Sequence, residues 1–181
     1  MAKSVPLPKL ISELAETLRT YDRLVFDEEL SHELAEPASS NQIATLEKIL
    51  GHPLPPSYQE FLKLHNGWSN FVGDAKLLGT DDHNKEWVKE KLEKLDTLFY
   101  EFGENPFKLG AIPIMLGEDA RGFLMLDPRT VRSNGEMDFV SFHIVHEEDR
   151  FKDFTSFLQH KLKLLRESIK DEMEGVSDED E

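Results

Sequence analysis

A chain of 181 residues, 39% hydrophobic and 31% charged, describes a soluble globular protein long enough to bury a core. It has no cysteine, which excludes disulfides and thiolate metal sites and is compatible with a reducing cytoplasm, the expected location. The net charge is −15; residues 167–181 hold eight acids and one lysine (−7), so the other 166 residues still carry −8. Such a surface repels phosphate backbones and anionic lipids and attracts basic partners. The N-terminal "MAKSVPLPKLISELAETL" has no uninterrupted apolar run and no cleavage pattern, so no secretory signal is expected, and no window reaches the ~18 apolar residues of a membrane span.

In chain order, residues 8–22 place Leu10, Leu14, Leu18 and Tyr21 on one helical face, with Glu13, Glu16 and Arg19 outside. A polar loop around Pro37 follows. Ser39 and Gln42 then have the spacing of a capping box, Ile43, Leu46, Ile49 and Leu50 form an apolar stripe, and Gly51 supplies the left-handed stop. Pro55 and Pro56 suit the approach and first turn of the next helix, on which Tyr58, Phe61, Leu62 and His65 share a face. Asn66-Gly67 reads as the end of that helix and a sharp turn. "NFVGDAKLLGT" predicts one or two strands bent at Gly73.

Residues 84–102 predict a helix with Val88, Leu92, Leu95, Phe99 and Phe102 inward. Strands are expected at 111–116, 122–127 and 138–145; Asn134-Gly135 marks a hairpin between the last two, and the doubly apolar "GFLMLD" belongs mid-sheet. Phe154, Phe157, Leu158, Leu162, Leu165 and Ile169 stripe a closing helix, begun near Asp153, that dissolves into an acidic tail expected to be disordered. This order gives an α+β fold with a mostly antiparallel sheet flanked by helices. The expected organisation is an N-terminal helix and loop over 1–38, a domain over 39–166 and the tail over 167–181.

No catalytic motif is visible. His143 and His146 point to opposite faces if they share one strand, so a metal pair is not expected unless the strand ends between them. Asp81 and Asp82 sit in a turn where Asp82 can cap the following helix. Glu118 and Asp119 lack a His, Lys or Ser spaced for acid–base work. Ser57 lies outside any nucleophile elbow, and no phosphate-binding glycine pattern occurs. Trp68 reads as core, whereas Trp87 lies at the edge of its helix's apolar stripe, as a partly exposed anchor would.

The block Ile43, Leu46-Glu47, Leu50-Gly51, Leu54-Pro55-Pro56-Ser57-Tyr58, Phe61-Leu62, Asn66-Gly67 resembles the signature of the SMI1/KNR4 family of the SUKH superfamily. Ile112 to Ile114, Leu126-Asp127, Asn134-Gly135 and Phe154 to Leu158 follow in the family's order, so the resemblance spans about residues 40–165. Arg121-Gly122-Phe123 departs from it, since a polar or acidic residue commonly follows that glycine. The resemblance implies an α+β domain that binds proteins and has no established catalytic apparatus or cofactor. Many bacterial members resemble immunity proteins that neutralise toxins, often nucleases, and fungal members act as regulatory hubs. The expected role is an immunity protein binding a basic toxin domain, without direct nucleic-acid or membrane binding. A scaffold for housekeeping partners is the alternative, and a small metal-dependent hydrolase using His143 and His146 a remoter one. Expected partner contacts are Asp81, Asp82, Trp87, Glu118 and Asp119. Gly51, Leu54, Pro55, Tyr58, Phe61, Leu62, Asn66 and Gly67 are expected to be structural.

Overall fold

The computed structural model describes residues 5–27, 30–119 and 121–177, with side chains to 174. Among them the elements run α1 (Leu7–Phe26), α2 (Ser40–Leu50), α3 (Pro56–Leu64), β1 (Trp68–Val72), β2 (Ala75–Leu77), α4 (Glu86–Phe102), β3 (Ile112–Leu116), β4 (Gly122–Asp127), β5 (Asp138–His143), β6 (His146–Phe151) and α5 (Phe154–Ser177). They divide into two compact units, one within residues 33–154 and one drawn from 1–32 and 155–181. The α+β expectation holds, and every strand pair is antiparallel.

In the larger unit the six strands lie in chain order across one sheet, a meander with β4 in its interior. Alternate side chains leave opposite faces of a strand, and both faces here are covered. On one, Val88, Leu95 and Phe99 of α4 join Phe123, Met125, Val140 and Phe142 in a core cluster. On the other, Tyr58 and Phe61 of α3 stack on each other and meet Phe139 and Phe154 at ring separations of 5.0–6.2 Å.

The links into and out of α3 are specific. Ser39 caps α2 with Gln42 in reciprocal bonds, and Gly51 ends it at φ +69°. The Glu47 carboxylate accepts from the Leu54 N–H and from Gln59, tying α2 to α3. Pro55 is the N-cap and Pro56 the first residue of α3, and Glu136, far along the chain, accepts from both the N–H and the hydroxyl of Ser57 at 2.8 Å. The helix stops at Leu64, one residue before the expected His65, which is extended. Asn66-Gly67 serves a different end: it is where the backbone after α3 crosses the backbone after β2. The Asn66 amide bonds Thr80 on two sides, and a Cβ at Gly79 would lie 2.2 Å from the Asn66 carbonyl oxygen.

Three further expectations change. The strand expected over 138–145 ends at His143, where the chain turns at Ile144 with φ +58° into an unexpected partner strand, β6. Ile49 and Phe102, expected inward, are exposed, each in the last turn of its helix. The closing helix continues to Ser177 where a disordered tail was expected, with Lys163–Glu167 and Lys170–Glu174 at the i,i+4 spacing that supports an exposed helix. Residues 178–181 lie outside the described residues.

In the smaller unit, α1 and α5 are joined by an Arg166–Glu13 ion pair at 3.2 Å. Asp22 on α1 is buried beside His32, whose ring nitrogen lies 2.7 Å from its carboxylate. No helix among the described residues is long and apolar enough to cross a membrane.

Candidate functional site

The β1–β2 hairpin, the loop after β3 and the first turn of α4 enclose an open groove of about 350 Å³. Trp87 forms one wall, and Asp74, Glu118 and Asp119 supply three carboxylates. Trp87 is half-buried because its inner side packs on the core cluster, so its position is set by the fold. Asp74, in the hairpin turn after Gly73, accepts the Asp119 N–H at 2.7 Å, joining two loops from different parts of the chain. Lys91, one turn along α4 from Trp87, donates to the Glu118 carbonyl. Burial lowers its pKa, an effect that nearby Asp74 and Asp119 oppose.

Lys76 also lines the groove, but its ammonium lies 2.9 Å from Asp82. Asp82 itself is only 2% exposed. It accepts the Gly79 N–H at 2.7 Å and pairs with Lys76 and Lys85. Burial pushes its pKa up, but the bonds from Lys85, Lys76 and Gly79 outweigh that and hold the carboxyl below the usual range. Asp82 is therefore an internal tie, with no free face for a partner. Nor does it cap α4, whose N-cap is Lys85, because its oxygens are spent on the chain before and beside it.

Next to it, burial lowers the His83 pKa to about 4 against the opposing charge of Asp82, and its Nε2 is buried without a hydrogen-bond partner among the described residues. Tyr58 donates to the Leu78 carbonyl at 2.5 Å; burial, then the Asp82 charge, raises its pKa.

Of the expected contact residues, the structure gathers Trp87, Glu118 and Asp119 into one groove, leaves Asp81 exposed on a turn outside it, and encloses Asp82. Gly51, Leu54, Pro55, Tyr58, Phe61, Leu62, Asn66 and Gly67 lie in or beside α2 and α3, with Tyr58, Phe61 and Leu62 fully buried. Asp74 escaped sequence reasoning; its one signal is its place directly after the turn glycine. His143 and His146 prove to be directly opposed residues of the β5–β6 hairpin, so they share a face instead of opposing. No group of three or more His, Cys, Asp or Glu side chains able to hold a metal ion occurs among the described residues.

No curated protein matches the chain. Residues 37–160, which run from the segment just before α2 through the whole sheet and into α5, match the SMI1 / KNR4 family (SUKH-1), and the chain belongs to that family.

Proposed function

We propose that this protein is a non-enzymatic binding domain of the immunity type, which captures a basic toxin domain and covers its nucleic-acid groove. Membership of the SMI1/KNR4 family supports a protein-binding role. The observation that carries the finer reading is the charge of the body: residues 1–166 hold −8 without the tail, and three carboxylates, Asp74, Glu118 and Asp119, ring an aromatic groove. A nuclease domain presents the opposite field to its substrate. Two such surfaces attract at a distance, raising association rates by roughly 10–10³-fold and weakening with salt.

The test is capture from a lysate of the source organism on the immobilised full chain, washed at low and high salt, followed by assay of the retained protein. A single basic partner that is released by salt and whose nuclease activity the chain suppresses supports the reading. Several neutral or acidic partners, with no activity suppressed, overturn it in favour of a regulatory scaffold.

A further inference from the structure

Helix α4 turns Val88, Leu95 and Phe99 into the core, but a second stripe runs along its flank. Trp87, Lys91, Leu98 and Phe102 follow one another at spacings of four, seven and four residues, a single helical line about 22 Å long. Leu98 is 37% and Phe102 65% exposed. Among the described residues the Phe102 ring meets no other aromatic ring. Exposed aromatic side chains lose little rotamer freedom on docking and bury much area, which is why they anchor interfaces.

Charge says what covers this line. At its start lies the groove with Asp74, Glu118 and Asp119. At its end Glu101 and Glu104 are exposed and residues 95–107 contain no lysine or arginine; of the two lysines that flank this segment, Lys108 pairs with Asp96 at 2.7 Å and Lys94 is exposed one turn before Leu98. Both ends are thus acidic, and between them the apolar Leu98 and Phe102 follow Lys91 and Lys94. A second copy of the chain, itself at −15, would bring like charges together at each end.

We propose that this flank of α4 is the docking face for a basic amphipathic helix of a partner protein. Its apolar side chains cover Leu98 and Phe102, and an arginine or lysine enters the groove against the face of Trp87. A guanidinium there meets the ring and the carboxylates together, in a groove whose two loops are already joined by the Asp119–Asp74 bond. The proposal rests on the reading that the partner is basic, and it adds where and in what form that partner is held.

Two synthetic helical peptides of about fifteen residues, matched to the length of the line, separate the two. They share one leucine stripe and carry either arginine or glutamate elsewhere. Each is titrated into the isotope-labelled full chain and followed by two-dimensional NMR. The basic peptide is expected to shift the Trp87 indole, Leu98 and Phe102 signals and to bind at least about tenfold more tightly than the acidic one. Phe102→Ser and Asp119→Asn, both at exposed positions, and Trp87→Ala should each weaken it several-fold with circular dichroism unchanged. Basic peptide bound elsewhere on the acidic surface overturns this face while leaving a basic partner in place. No binding of the basic peptide at low salt overturns both. Self-association abolished by Phe102→Ser would assign the face to a second copy and overturn the proposal.

Discussion

At the crossing of Asn66 and Gly79 the two backbones approach so closely that a hydrogen atom is the largest group residue 79 can carry. The Asn66 side chain then fills its amide on Thr80, so the contact is polar, satisfied and without slack. Gly79→Ala is expected to cost about 3 kcal/mol, because its methyl meets backbone that cannot move aside. Gly51 offers the contrast: nothing lies within 4 Å of a Cβ there, and only its φ of +69° disfavours a side chain. Gly51→Ala should cost about 1 kcal/mol. Urea unfolding of the two variants checks the difference, and equal losses would show that the crossing has room to relax.

At the scale of elements, α3 depends on a residue that no local pattern could nominate. Glu136 lies in the loop between β4 and β5, yet its carboxylate takes two bonds from Ser57 in the first turn of α3, where a negative charge is also favoured by the helix dipole. The Ser57 hydroxyl in turn accepts the N–H of Phe154, so one side chain fastens a helix, a loop and the start of α5. Glu136→Ala is expected to cost about 1–2 kcal/mol in thermal or chemical unfolding, whereas Ser39→Ala at the local cap of α2 should cost about 1 kcal/mol.

That comparison also explains what the sequence could and could not disclose. The Ser39–Gln42 box, the Gly51 stop and the apolar strand β4 are written in adjacent residues and were legible. The Glu136 cap, the Asp82 tie and the Asn66–Gly79 crossing join residues distant in sequence, and composition gives no sign of them. Strand β6 was missed for another reason. "HEEDRF" is exposed along almost its whole length, so it lacks the alternation by which a half-buried strand is recognised. In the groove, Trp87, Glu118 and Asp119 were each legible as candidates, but their convergence required the sheet order that brings two loops and the first turn of α4 together.

For the whole molecule, two neighbouring groups contribute to acid stability in different windows. His83 has its folded pKa lowered to about 4 from 6.5, so between those values the unfolded chain binds a proton that the folded one does not. Stability contributed by the neutral ring is complete above pH 6.5 and is lost as pH falls toward 4, by on the order of 3 kcal/mol. Asp82 is also lowered, so its contribution is present above the ordinary carboxylate value and disappears only as pH falls through its lower folded value. His83→Leu should therefore flatten the melting temperature between pH 6.5 and 4 and leave the steeper loss below it. A wild-type profile already flat over that range would show that His83 is protonated in the folded state.

The two tryptophans have a consequence for how such experiments are read. Trp68 is wholly enclosed beside Phe71, its ring nitrogen without a hydrogen-bond partner among the described residues, while Trp87 stands half in solvent at the groove. The chain thus contains two emitters in different dielectric surroundings: one that should fluoresce at short wavelength and resist acrylamide, and one that should fluoresce to the red and be quenched. Replacing Trp68 with phenylalanine would leave a lamp at the proposed docking face alone. Replacing Trp87 would leave one that reports only whether the interior is closed. Occupancy and unfolding can then be followed separately, by colour, in a single unlabelled sample.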